Sequence, residues 1–304
     1  MVAFGMQLPI QSQSTIFVQP WEPAAGPAEL VQVAQACDAA GFDYVAVCDH
    51  VAIPADKADA MSTTWWDTIA TLSYLAAVTE RVRLLSHVYV LPYRHPLSAA
   101  KAWATLDRLS GGRAILGVGT GHVEGEFEAL GLSFADRGRL LDEAIDAVRA
   151  ALADEFASHH GERWRFDGVG QRPRPVQAHL PIWVGGSSKP AMRRAAERGD
   201  GWLPQGPPEG GMAAGIDFVR AHRAATRGDD PIVLGALSGP LYIGDPPWDA
   251  RCVKGPADKV AGYLRTYVDL GVDQIQVGFV SRSVEELCDQ IATFTTDVAP
   301  LVNA

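Results

Sequence analysis

Asp49, His50, His87 and His122 carry side chains suited to proton transfer, and each stands at or near the end of an apolar run. Asp49-His50 follows Tyr44-Val45-Ala46-Val47-Cys48, and His122 follows Ala114–Val118 and Gly119-Thr120-Gly121. Imidazole changes charge between about pH 5 and 8, so it can give a proton to a reacting group and take one back. Imidazole and carboxylate also suit zinc, but no His-x-His pair places two ligands on one strand, and no metal site is expected. The plainer reading of Asp49-His50 is a turn, with the aspartate capping it. A second kind of chemistry is written in Gly185-Gly186-Ser187-Ser188, which lies between the apolar Ile182-Trp183-Val184 and a helical pattern from Pro190 to Arg198. Glycines admit a phosphate close to the backbone, serines add donors, and a helix start favours negative charge. Lys189, Arg193 and Arg194 follow within the first turns; the alternative is a tight turn that needs glycine for geometry alone. Gly117-Val118-Gly119-Thr120-Gly121 does not complete a Gly-x-Gly-x-x-Gly fingerprint, because His122 occupies the last position. Small residues there leave room for a flat ring against the backbone.

The elements that position these residues centre on Val82–His122. Val82–Leu91 is a β-branched, apolar run, Pro92-Tyr93-Arg94-His95-Pro96 stops it, and Leu97–Leu109 repeats at helical spacing. Ser110-Gly111-Gly112 ends that helix and Ala114–Val118 is the next strand. Strand, helix and strand make a parallel βαβ unit, so both strands end on one edge, with Ser86, His87, Thr120 and His122 gathered there. The rest of the chain repeats the rhythm: strands at Ala3–Leu8, Tyr44–Cys48, Ile182–Val184, Gly199–Pro204, Pro231–Leu237 and Val272–Val277, with helices between. Eight strands alternating with eight helical segments predict a (β/α)8 TIM barrel, with an open doubly wound sheet as the alternative. The chain reads as one domain, 1–304, with insertions at 154–181 after strand four and 238–255 after strand seven.

Composition narrows the function. With 47% hydrophobic and 20% charged residues the chain is ordinary globular material, and a net charge of −10 argues against sequence-independent nucleic-acid binding. No apolar run is long enough for a membrane span, and no signal-peptide pattern opens the chain. Cys37, Cys48, Cys252 and Cys288 lack metal-like spacing and read as buried thiols, so a reduced, cytoplasmic protein is expected.

The ordered motifs Tyr44–His50, Val82–Leu84 through Leu91–Pro96, Leu106–Arg113, Leu116–Gly121, Glu126–Gly131, Pro181–Gly186 and Gly199–Pro204 resemble the bacterial-luciferase-like superfamily. Within it they are similar to the coenzyme F420-dependent oxidoreductases. The resemblance implies a (β/α)8 barrel holding a deazaflavin at the strand C-termini, with Ser86, His87, Val88, Tyr89, Gly119, Thr120, Gly121 and His122 around the ring. It places the phosphate on Gly185, Gly186, Ser187 and Ser188, and a non-proline cis peptide at His87-Val88 behind the ring. It also implies His50 as the proton-transfer group oriented by Asp49, with His122 as the second candidate, and a homodimer. The sugar-phosphate branch has a glutamate where this chain has His122, so another small organic substrate is expected. Trp65, Trp66 and Trp202 are candidates for an apolar substrate wall. The alternative is an FMN-dependent monooxygenase that takes reduced flavin from a partner reductase.

Overall fold

The computed structural model describes residues 1–304. Its strands are β1 (Ala3–Gln7), β2 (Tyr44–Val47), β3 (Arg83–Ser86), β4 (Tyr89–Val90), β5 (Ala114–Gly119), β6 (Phe156–His160), β7 (Arg165–Gly170), β8 (Ile182–Gly185), β9 (Gly201–Leu203), β10 (Val233–Ile243), β11 (Val253–Gly255) and β12 (Gln274–Phe279). The order β1-β2-β3-β5-β8-β9-β10-β12 returns to β1, and every pairing around it is parallel. This is the closed eight-stranded barrel with surrounding helices, which removes every sheet edge from the core. The open-sheet alternative is excluded by the β9–β10 pairing that closes the ring.

Inside the barrel, Tyr44, Leu85, Ile115, Trp183 and Leu203 pack as a cluster of their own, distinct from the larger core between strands and helices. Tyr44 and Trp183 meet edge to face with ring centroids 5.5 Å apart. Gly5 faces Tyr44, and a Cβ there would lie 2.1 Å from the ring. The lower barrel is therefore filled, and chemistry is confined to the C-terminal mouth.

Three elements differ from the periodicity. The helical pattern from Trp65 to Thr79 predicts a helix starting at Trp65, but the helix spans Thr68–Ala76, because the Asp67 carboxylate caps it by accepting from Ala70 N–H at 2.8 Å. Trp65 and Trp66 are thereby left on the loop at the mouth. Barrel strand three is not continuous over 82–91: β3 ends at Ser86, the His87-Val88 peptide is cis, and β4 resumes pairing with β5. The insertion expected at 238–255 is smaller, since β10 runs on to Ile243 after a register shift between Leu237 and Pro240. Proline cannot donate to the ladder, and Gly239 N–H bonds the Tyr263 hydroxyl at 2.9 Å instead of a strand. The 154–181 segment does form a hairpin, β6 against β7.

The interruption of strand three explains two glycines otherwise read as room for a ring or a phosphate. A Cβ on Gly119 would stand 2.4 Å from Val88 Cγ2, and one on Gly185 would stand 2.4 Å from Val88 Cγ1. The space over both is filled by the Val88 isopropyl group. Gly119→Ala should therefore destabilise the fold by about 1–3 kcal/mol through overpacking. Val88→Ala in the same chain should recover most of that loss, measured by urea unfolding of the double-mutant cycle. Additive losses would show that Val88 is not the obstacle.

Candidate active site

At the mouth, the residue that organises the polar groups is Glu126, in the six-residue helix Glu124–Ala129 after β5. A Cβ at Gly125 would lie 2.7 Å from Pro54, so glycine there lets the loop after β2 pack directly on this helix. That contact brings the loop's amides to the carboxylate. Glu126 Oε1 accepts from Val51 N–H and from Ala52 N–H at 3.1 Å; Oε2 accepts from the Tyr93 hydroxyl at 2.9 Å and from His50 Nδ1 at 2.9 Å. The side chain is fully buried. Burial pushes its pKa up, but the hydrogen bonds from His50, Val51 and Ala52 outweigh this and hold it below the usual carboxylate range. Burial and the Glu126 charge hold the Tyr93 phenol well above its ordinary value, so it stays protonated as a donor.

The Glu126 contact sets the state of His50. An ionised carboxylate only accepts, so the proton of the neutral imidazole sits on Nδ1 and leaves the Nε2 lone pair free. The ring packs against Trp65 at 4.3 Å and His122 at 5.5 Å between centroids. His122 is exposed at the rim, yet the protein around its ring and the neighbouring His50 hold its pKa below the ordinary value. The arrangement provides a base at Nε2 whose ring is oriented through Nδ1 by a buried carboxylate, the logic of a carboxylate-oriented histidine.

Asp49 has another task than orienting His50. Its Oδ2 accepts from Val90 N–H at 2.7 Å, and Oδ1 accepts from Thr68 Oγ1 at 3.0 Å and Arg94 Nη2 at 2.7 Å, with Arg94 Nη1 on Oδ2. The Arg94 guanidinium lies 4.1 Å from the Tyr89 ring centroid. This forked pair ties the end of β2 to the segment just past the cis peptide.

His87 lies in the barrel interior beneath the mouth. Its Nε2 donates to Leu203 O at 3.1 Å, leaving Nδ1 to accept from Gln276 Nε2 at 3.3 Å. Burial lowers its pKa to about 4, against the smaller upward pull of Leu203 O. The folded protein keeps His87 neutral, whereas the unfolded chain binds a proton below about pH 6.5. Its contribution is therefore present above pH 6.5 and is lost as pH falls toward about 4. The loss should be on the order of 3 kcal/mol, and His87→Gln should remove this part of the pH dependence in unfolding at pH 7 and 4.5. An identical pH dependence in the variant would refute it.

The remaining predicted residues divide into engaged and available groups. Ser86 Oγ is buried and donates to Gly117 O at 2.8 Å while accepting from Gly117 N–H at 3.0 Å. Ser187 Oγ donates to Gly206 O at 2.5 Å, and Ser188 caps the Lys189–Arg198 helix. Gly121, at φ +75°, keeps space for Val90, Phe127 and the Tyr93 hydroxyl. Gly186 has φ +94°, which favours glycine, and its carbonyl accepts from Trp202 Nε1 at 3.0 Å, so that indole belongs to the turn and the core. Ser188 and Lys189 are exposed, Val88 and Thr120 half-buried, and the Thr120 hydroxyl makes no hydrogen bond within the protein. Arg194 is buried on Asp142 at 2.5 Å and Arg193 lies 3.8 Å from Glu197, leaving Lys189 as the unpaired cation of the three. Glu126, Tyr93 and Arg94 were not among the predicted site residues. The signal for Glu126 was an acidic first turn in a helix too short to be independently stable. No group of three or more His, Cys, Asp or Glu is arranged to hold a metal ion, and no helix is long and apolar enough to cross a membrane.

Comparison with known proteins agrees with this architecture. An uncharacterised protein of Mycobacterium tuberculosis is 34% identical over 185 residues, 57% of this chain and 64% of that one, so the match spans less than two thirds of the relative. The FMNH2-dependent dimethylsulfone monooxygenase of Pseudomonas putida is 34% identical over 155 residues, 50% of this chain and 42% of that one. Two solved structures share the fold. The monooxygenase RslO1 of Streptomyces bottropensis superposes with a TM-score of 0.82 at 23% identity, covering 98% of this chain and 99% of that one. The coenzyme F420-dependent tetrahydromethanopterin reductase of Methanopyrus kandleri gives 0.74 at 17% identity, again over 98% and 99%. The family model for luciferase-like monooxygenases matches residues 3–251, and the chain belongs to that family of oxidoreductases and monooxygenases.

Proposed function

We propose that the protein is a coenzyme F420-dependent oxidoreductase that moves a hydride between the deazaflavin and a small organic substrate. His50 serves as the proton-transfer group and Glu126 as its positioning residue. The observation that carries this reading is the free Nε2 of His50 at the barrel mouth, with Nδ1 fixed on a buried carboxylate. Hydride transfer to or from an organic substrate leaves a charge that a proton must balance, and Nε2 can give or take that proton. The residues present fit a ring with a phosphate tail. Val88 offers an apolar face, the Thr120 hydroxyl is unengaged, and Ser188 and Lys189 are exposed at the start of a ten-residue helix. When bound, F420 supplies a two-electron hydride carrier whose ring carbon replaces the nitrogen that would react with oxygen. The coenzyme F420-dependent reductase of Methanopyrus kandleri has the same fold.

A second reading, an FMN-dependent monooxygenase, is favoured by the similarity to the FMNH2-dependent dimethylsulfone monooxygenase. Titrating the purified protein with F420 and with FMN separates the two. F420 should bind at least about tenfold more tightly, ~1.4 kcal/mol. A tenfold preference for FMN would overturn the F420 reading.

A further inference from the structure

The hairpin insertion builds a second pocket that the proposed chemistry does not use. The turn between β6 and β7 is pinned by Glu143, whose carboxylate accepts from the backbone N–H of Arg163 at 2.8 Å and of Trp164 at 2.7 Å. With the turn so held, Arg163 and Trp164 close a pocket of about 170 Å³ against Tyr93, Arg94, His95 and Leu140. Part of its wall is apolar: Trp164 is 8% exposed and Leu140 is buried.

The polar part offers donors and no carboxylate. Arg163 forms no ion pair; Asp136 and Glu162 pair with Arg139, and Glu143 accepts from the turn amides. The Arg94 charge is balanced on its inner side by Asp49. His95 Nδ1 accepts from Leu97 N–H at 3.2 Å, so in the neutral ring Nε2 carries the proton as a donor. A recess with an unpaired guanidinium and no acidic lining stands out in a chain of net charge −10. Arg presents a planar fork matched to carboxylate, and an indole offers an apolar face beside it.

We propose that this pocket binds a small organic anion, a carboxylate on an apolar or aromatic body, with the carboxylate on Arg163 and His95 and the body against Trp164 and Leu140. Its wall is shared with the mouth, since the Tyr93 hydroxyl reaches Glu126 and Arg94 grips Asp49. The occupant does not depend on which flavin the protein carries, so the test uses the cofactor-free full chain.

Benzoate and its neutral analogue benzyl alcohol are titrated by calorimetry into wild type, Arg163→Ala and Arg163→Lys. Benzoate should bind saturably and about tenfold or more tightly than benzyl alcohol, and Arg163→Ala should weaken it about tenfold or more. Arg163→Lys, which keeps the charge, should retain most of the affinity. Arg163 is exposed and its side chain holds no other element, so the variants fold. Absence of saturable benzoate binding, equal affinity for the neutral analogue, or a smaller loss in Arg163→Ala overturns the proposal.

Discussion

Replacing His50 by alanine is expected to lower turnover about 10²–10⁴-fold while leaving flavin or deazaflavin affinity nearly unchanged. The size follows from what the imidazole does and what it does not hold up. Its Nδ1 is spent on Glu126 and its Nε2 has no hydrogen-bond partner within the protein, so the group is arranged for proton movement. Removing it leaves Glu126 with Tyr93 and two backbone amides as donors, and the loop after β2 keeps its anchor. Single-turnover kinetics should place the loss in the chemical step, and thermal unfolding should show a well-folded variant. Full turnover by a stable, cofactor-bound His50→Ala protein would transfer the role to His122, whose ring lies 5.5 Å away.

Glu126→Gln should damage both activity and stability, which separates a positioning residue from a catalytic one. The amide oxygen can still accept from the Val51 and Ala52 amides, but its NH2 then meets the Tyr93 hydroxyl and His50 Nδ1. A donor opposite Nδ1 moves the ring proton to Nε2, the wrong tautomer for a base, and turnover should fall on the order of 10²-fold or more. Losing an ionised acceptor for these buried groups should cost ~1–3 kcal/mol of stability. The pH dependence has a definite sign. The folded pKa lies below the ordinary value, so the carboxylate's contribution is present above about pH 4.3 and is lost as pH falls through the lower folded value. Wild type and Glu126→Gln should therefore differ in unfolding free energy at pH 7 and converge in acid. Tyr93→Phe leaves the His50 tautomer intact, so it should cost stability with far less loss of turnover. Normal turnover in Glu126→Gln would remove Glu126 from the proposed machinery.

The sequence by itself determined the barrel. Continuous apolar runs at Tyr44–Val47, Ala114–Gly119 and Ile182–Gly185, each followed by glycine or polar residues and then a helical period, leave few topologies that bury every strand on both faces. Motif resemblance also located the cis peptide at His87-Val88. Local pattern reports which face of an element is buried, and a chain this long has apolar surface enough for that signal to dominate.

Tertiary structure alone decided the partners. Asp49 and His50 are neighbours in the chain, yet consecutive residues leaving a strand point apart. Asp49 turns to Arg94, 45 positions on, and His50 to Glu126, 76 positions on. Lys189, Arg193 and Arg194 look equivalent as a cationic run, but Asp142 claims Arg194 from another helix. Gly119 and Gly185 look like space for a ligand, and one valine fills both. A carboxylate bonds the nearest donors in three dimensions, and its choice leaves no periodic trace in the sequence around it.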